Sequence, residues 1–427
     1  MDPIAREEFQ LAGYVTGAET LFPNVKQLQA GEVLVATQQD EGVRVETHRY
    51  YRFLHTEPKQ VDEPTLRARL DEVAVASIQR LIDYANGRQI VVPLSGGYDS
   101  RLIVTLLKRL GYDNILTFTY GVPGNKESAY SKRVADALGL RWHFVEYSEA
   151  LWREAWQTRE RGDYQKWASG WSSIAHVQDW LAAKSMKEQG VLKSDCLFVP
   201  GHTGDFISGG HIPANAFERS RFSLEDATDA VFSKHYGLAP LKFCETSRET
   251  WSERIRDRME RDSIENAWQY ADVFEKWDWQ ERQAKFICNS VRVYEFFGYD
   301  WWMPLWDKDF VEFWAGVPLA LRKEREWYKE YVGNQFNSLA GNQVSEPLPN
   351  ASDPPIILAR ISESWAGQII RKSSLLRKVA KRIIGVRQDN ADVMQSRFDD
   401  IGRKDLVDRG YSSNGLAAYF FIHEKYE

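Results

Sequence analysis

Cysteine is scarce in this chain. Cys196, Cys244 and Cys288 are the only three among 427 residues, and none forms a C-x-x-C pair. That excludes a disulfide framework and a thiolate zinc site, and it suits a reducing compartment. Long apolar runs are missing as well. No uninterrupted hydrophobic stretch reaches membrane-spanning length, and the opening MDPIAREEFQ has neither the basic nor the apolar region of a secretory leader. The expectation is a cytoplasmic protein. Basic charge is not in excess: 55 Lys and Arg stand against 61 Asp and Glu, a formal charge of −6. This balance argues against nucleic acid as the main partner. Repeats and low-complexity tracts are absent, and so are the Gly-Lys-Ser/Thr ending of a Walker A loop and the G-x-G-x-x-G pattern.

What is present is enough apolar material for a large core, 43% of residues. The length points to two or three structural units. Sixteen Trp and nineteen Tyr are many for this length. Most of the Trp fall between Trp152 and Trp327, where such rings fill cores or line pockets for planar or sugar-like ligands.

The chain is organised around Ile90 to Arg101, IVVPLSGGYDSR. The β-branched run Ile90 to Leu94 reads as a strand that stops at Ser95-Gly96-Gly97. From near Ser100 a helical spacing begins, with Leu102, Ile103, Leu106, Leu107 and Leu110 on one face. Strand, glycine turn and helix N-terminus present free backbone N–H groups and a positive dipole end to a phosphate. Gly96 and Gly97 let the backbone approach the anion. The hydroxyls of Ser95 and Ser100 add donors, and Asp99 can hold a divalent cation against phosphate oxygens.

Further strands are expected over Ile115 to Tyr120, Arg141 to Tyr147 and Cys196 to Pro200. Helices are expected at 63–85, over Ser128 to Leu138 and over Trp171 to Gln189, and residues 214–300 read as helical and Trp-rich. Strands alternating with helices predict a parallel sheet with the ligand at its carboxyl edge. Gly13-Tyr14-Val15, Glu32 to Ala36 and Val43 to Glu46 read as strands of a small N-terminal β unit, and 342–355 reads as a loop. Residues 371–387, RKSSLLRKVAKRIIGVR, hold seven basic residues and no acidic one, with Leu375, Leu376, Val379, Ile383 and Ile384 on one helical face. Such a helix docks by its apolar face, and it also suits peripheral contact with an anionic inner membrane face.

The Ser-Gly-Gly-x-Asp-Ser pattern at 95–100 resembles the pyrophosphate loop of the ATP pyrophosphatase (PP-loop) superfamily. The segments GYVTGAETLFPNVKQLQAGEVLVA and YYRF resemble the end of the glutaminase domain of class B asparagine synthetases. Gly201-His202-Thr203-Gly204-Asp205 resembles the second loop of their synthetase domain, and YDWWMPLWDKDF resembles a later segment in which Pro304 and Asp307 match. The resemblance implies an α/β fold: a parallel-sheet PP-loop domain with helical C-terminal additions and a small N-terminal β remnant. The expected divisions are 1–60 for a truncated glutaminase-like remnant padding the next domain, 61–340 for the synthetase domain and 341–427 for a loop and helical extension.

It also implies site residues. Leu94, Ser95, Gly96, Gly97, Asp99, Ser100, Tyr120 and Gly201 would bind ATP and pyrophosphate, the backbone at Leu94 and Tyr120 framing adenine and ribose. Asp99 and Asp205 would hold Mg²⁺. Lys329, falling on the lysine of the family's Lys-x-x-Leu-Arg stretch, would stabilise the departing pyrophosphate. His202 stands where the family has a loop glutamate, and either acts as a base near its ordinary pKa or orients substrate. Residue 2 is Asp rather than the family's nucleophilic cysteine, so the chain is not expected to hydrolyse glutamine.

The implied activity is an AMP-forming carbon–nitrogen ligase that adenylates a carboxylate and passes ammonia or an amine to it. Ammonia would come free or from a separate glutaminase. Similarity to asparagine synthase-related proteins of bacterial surface-polysaccharide biosynthesis points to a nucleotide- or lipid-linked sugar uronate as acceptor. The alternatives are a macrolactam-forming peptide ligase, a tRNA-modifying enzyme, and a non-catalytic nucleotide-binding partner subunit.

Overall fold

The structure, a computed structural model, describes residues 1–58, 60, 62–261, 263–341 and 390–424. The expected loop at 342–355 and the basic helix at 371–387 lie outside the described residues.

The N-terminal region departs from the sequence reading first. Helix α1 (Pro3–Ala12) precedes any strand, with Pro3 in its first turn and Asp2 accepting the Ala5 N–H. Gly13 closes it in the left-handed conformation. Gly13 to Val15 is therefore not a strand, and Tyr14 forms only a single bridge to Ser173. Strands β1 (Glu32–Gln39) and β2 (Gly42–Arg49) make the expected antiparallel hairpin. It does not pad the rest: Val33, Leu34, Val35, Val43 and Val45 are exposed. The packing comes instead from Phe9, Leu11, Val15, Leu21 and Phe53, all buried.

After α2 (Glu63–Ala85) the main domain is built in the expected alternation. Its first elements are β3 (Ile90–Pro93), α3 (Tyr98–Arg109), β4 (Ile115–Gly121), α4 (Lys126–Ala137) and β5 (Arg141–Glu146). Helices α5 (Glu149–Trp156), α6 (Arg159–Ser169) and α7 (Trp180–Glu188) lead to β6 (Leu197–Phe198). The helix expected from Trp171 starts only at Trp180. A helical module, α8 (Leu224–His235), α9 (Arg248–Met259) and α10 (Ala267–Asp278), confirms the helical reading of that region. Helix α11 (Arg292–Phe296), strand β7 (Asp300–Trp301), α12 (Lys308–Ala315) and α13 (Glu326–Ala340) follow. Beyond the undescribed stretch come α14 (Asn390–Gln395), α15 (Arg403–Arg409) and α16 (Ser413–His423).

The five main-domain strands form one parallel sheet in the order β5-β4-β3-β6-β7. Side-chain alternation splits the strands between two cores. Ile90, Val92, Leu197 and Val199 face one core with α2, α3 and α13, while Val91, Leu116, Phe118 and Phe198 face the other with α5 to α7. The chain leaves β3 toward β4 and β5, then returns to β6 on the opposite side of β3. That reversal makes the carboxyl edge between β3 and β6 the topological switch point, where open α/β sheets bind ligands.

Candidate active site

Each side of that crevice carries a glycine loop. At the end of β3 the Leu94 N–H still pairs with the Phe118 carbonyl at 2.8 Å, and then the chain turns. Gly96 sits at φ +74°, and a Cβ there would lie 2.6 Å from Tyr130 Cβ. Only glycine fits both the conformation and the space. Gly97 is the N-cap of α3 and offers no side-chain cap, so the first-turn N–H groups and the positive dipole end are left for an anion. The Ser95 N–H donates to Ser100 Oγ at 3.4 Å, the Gly97 N–H to Ser95 Oγ at 3.3 Å, and Arg101 Nη2 to the Gly96 carbonyl at 2.7 Å.

The second loop follows β6 and lies against the first. A Cβ at Gly201 would come within 2.8 Å of the Ser100 nitrogen, and one at Gly204 within 2.6 Å of Asp99 Oδ1. Thr203 between them adopts φ +74°, a left-handed conformation that costs a non-glycine residue about 1–2 kcal/mol. Glycine at 201 and 204 therefore allows Asp99 and Asp205 to share one cavity, of about 570 Å³.

The group between these carboxylates is Arg325. Its Nη2 donates to Asp99 Oδ1 at 2.6 Å, its Nη1 lies 2.8 Å from Asp205 Oδ1, and its Nε donates to Ser208 Oγ at 2.7 Å. Arg325 and Glu324 are both left-handed, at φ +62° and +50°. The turn is held in place by fully buried Arg322, whose Nη1 donates to Glu275 Oε2 at 2.7 Å and Nη2 to the Ile207 carbonyl at 2.8 Å.

The two carboxylates are tuned in opposite directions. Burial raises the Asp99 pKa, with the Arg325 charge pulling against it and Asp205 adding to it. For Asp205 burial also pushes upward, but the hydrogen bond from His211 and the charges of Arg325 and His211 outweigh it and hold the carboxyl low. With 51% of its side chain open to water, Asp205 is partly screened. His211 Nε2 lies 3.3 Å from Asp205 Oδ2, and its Nδ1 lies 2.5 Å from Oδ2 of fully buried Asp278. Burial opposes the charged imidazole, but Asp278 and Asp205 more than offset that and raise its pKa. Asp278 thereby orients the ring that orients Asp205.

Of the residues singled out in the sequence, Ser95, Gly97, Asp99, Asp205 and Lys329 line the cavity together. Gly96, Ser100 and Gly201 form the loop backbone behind it. Lys329 pairs with Glu326 at 2.8 Å. Leu94 is buried, with its carbonyl taken by the Thr119 hydroxyl. Tyr120 donates its hydroxyl to Asp179 at 2.7 Å and stacks on Tyr147. His202 sits on the same side as Asp179, its ring 6.3 Å from that of His176. Burial, helped by His176, pushes the His202 pKa down to about 4 rather than leaving it near its ordinary value. The imidazole is neutral at pH 7 and a weak base.

Sequence reasoning passed over Arg325, His211, Asp278 and Glu127. For Arg325 a signal existed: moved back four residues, the Lys-x-x-Leu-Arg spacing falls on Arg325, Tyr328 and Lys329. Glu127 lies in the first turn of α4 on the cavity wall. Burial and the nearby charge of Asp179 raise its pKa to about 7.

Among the described residues no three His, Cys, Asp or Glu side chains converge as a metal cage. Asp99 and Asp205 nonetheless fit Mg²⁺, which takes one or two carboxylates and completes its octahedron with phosphate and water.

A parallel sheet with paired glycine loops and acidic side chains at its switch point defines a nucleotide-handling α/β domain. The chain belongs to the asparagine synthase family, whose model, described as "Asparagine synthase", matches residues 84–340. It is 33% identical over 102 residues to a "Probable asparagine synthetase [glutamine-hydrolyzing]" of Acanthamoeba polyphaga mimivirus. That match covers 23% of this chain and 18% of the relative. No described helix is long and apolar enough to cross a membrane.

Proposed function

We propose that the chain adenylates a substrate carboxylate with ATP and transfers ammonia or an amine to it. In the first step a carboxylate oxygen attacks the α-phosphorus as its bond to the bridging oxygen breaks, and pyrophosphate leaves. In the second, nitrogen attacks the acyl carbon, AMP departs, and the extra proton on nitrogen passes to a base. The observation that carries this reading is the convergence of the 95–100 and 201–205 loops, which sets two carboxylates and an arginine beside an uncapped helix N-terminus.

Ser95, Gly96, Gly97 and Ser100 cradle the pyrophosphate portion, and Gly201 allows the close approach of the two loops. Leu94 and Tyr120 contribute backbone at the nucleoside end. Asp99 and Asp205 would hold Mg²⁺, which supplies charge neutralisation of the triphosphate when bound. Lys329, on the cavity wall, stabilises charge on the leaving pyrophosphate. Glu127, with a pKa near neutrality, suits the proton acceptor, and His202 suits a positioning role.

Within this reading 1–60, 61–340 and 341–427 are the divisions of the chain, packed together through shared cores, and the acceptor is a sugar uronate of surface-polysaccharide assembly. Trp277, Trp279 and Trp314 pack in the cores and no Trp between 268 and 314 lines the cavity, so the sugar acceptor rests on the resemblance alone.

The test is incubation with ATP, Mg²⁺, ammonium and a panel of nucleotide-linked uronic acids, amino acids and peptides. AMP and pyrophosphate formation with a product about one mass unit lighter, –OH replaced by –NH₂, is expected with a uronate. AMP formation only with a peptide, giving a cyclised product, would replace the sugar acceptor with macrolactam formation.

A further inference from the structure

Arg325 is more than a neighbour of the two carboxylates. Its three committed donors reach Asp99, Asp205 and Ser208. Of the five N–H donors on a guanidinium, two are left over for a ligand, and Arg325 lines the cavity that the helix N-terminus also faces. A divalent cation bound by Asp99 and Asp205 would meet the same Oδ1 atoms that Arg325 now engages. Each carboxylate oxygen keeps a second lone pair, but a guanidinium set between the two acids repels a dication there.

The segment carrying Arg325 is fixed at its base and strained at its tip. Arg322 is pinned by Glu275, whereas Glu324 and Arg325 take successive left-handed conformations with no glycine. That arrangement places one specific side chain between two acids. A planar fork of donors matches phosphate as well as it matches carboxylate.

We propose that Arg325 is a phosphate-reading residue that occupies the cation position between Asp99 and Asp205 until a metal–nucleotide arrives, then exchanges from the carboxylates to the phosphate oxygens. The inference rests on the nucleotide reading of the same cavity. It makes metal and nucleotide binding mutually dependent: a metal alone must displace Arg325 with no phosphate to receive it. Arg325 thus disfavours the bare ion and favours the metal–nucleotide complex.

The test is calorimetric titration of the full chain with Mn²⁺ alone and, separately, with MgATP, in the original protein, Arg325→Gln and Arg325→Lys. Arg325→Gln is expected to bind Mn²⁺ alone tighter and MgATP weaker, each by about tenfold, the worth of one or two charge-assisted hydrogen bonds. Arg325→Lys, a cation without the planar fork, is expected to restore part of the MgATP affinity. Thermal melting of both variants checks that they fold, and Arg325→Lys carries the test if Arg325→Gln does not. Opposite shifts for metal and nucleotide support the exchange, because a purely structural role would weaken both. Equal Mn²⁺ affinity, or unchanged MgATP affinity, in folded variants overturns it. An original protein that fails to bind MgATP overturns the nucleotide reading and the exchange with it.

Discussion

The two loops at the switch point are built by different means. The first is nearly self-contained: Ser95 and Ser100 bond across five residues, and Gly97 and Ser95 across two. The second depends on distant partners. Asp205 is set by His211, whose other nitrogen is held by Asp278, 67 residues from it in sequence. Arg325, on a turn far along the chain, lies 2.8 Å from Asp205 Oδ1 and from there also reaches Asp99 of the first loop. A phosphate loop can come from one strand–helix joint, because the backbone supplies its donors. Two charged carboxylates repel unless a cation or a shared proton stands between them, and the second loop recruits charge from elsewhere in the fold.

The largest effect expected from breaking this comparison is at Asp99. Asp99→Ala should lower ATP-dependent pyrophosphate release at least about a hundredfold, the scale of losing a main electrostatic contact in a transition state. Turnover unchanged in that variant would remove the nucleotide site from the first loop.

Next comes the support of the second loop. Asp278→Asn keeps the shape but takes charge from the His211 side. It should weaken metal–nucleotide affinity by about tenfold, with the first loop intact, as outer-shell changes typically do. An unchanged MgATP affinity, measured by titration, would show that Asp205 is positioned without His211.

The smallest expected effect is a change in the pH profile. With Glu127 near pKa 7, the fraction in the base-competent carboxylate form rises as pH passes through neutrality, so amide formation should climb there. Glu127→Gln should flatten that limb. His202→Gln should leave its position unmoved, because an imidazole at about 4 is already neutral above pH 5. A limb that disappears with His202 instead would exchange the two roles.

The parallel sheet was legible because β-branched runs and helical spacing are local signals. Ile90 to Leu94 and Ile115 to Tyr120 both became strands of it. Short elements escaped notice. β7 spans two residues at the sheet edge, and its pairing with β6 comes from tertiary packing rather than propensity. Helix α1 was hidden by the β-favouring residues after it, although Asp2-Pro3 is a helix-start signal. Trp171 to Asp179 resembled helix through apolar spacing, but Gly170 and Trp171 are both left-handed and redirect the chain.

By itself the sequence determined that a strand, a glycine turn and a helix meet at Ser95 to Ser100, since each of those choices is made within a few residues. It also placed a matching glycine loop at Gly201 to Asp205. Only the tertiary structure decided which cation stands between the carboxylates. Lys329 and Arg325 lie four residues apart on one segment, and spacing alone does not choose between them. The strained turn anchored by Arg322 brings the Arg325 guanidinium to Asp99 and Asp205, while Lys329 reaches the cavity wall paired with Glu326. Close approach of charges far apart in the chain is a property of packing, and packing is where that choice was made.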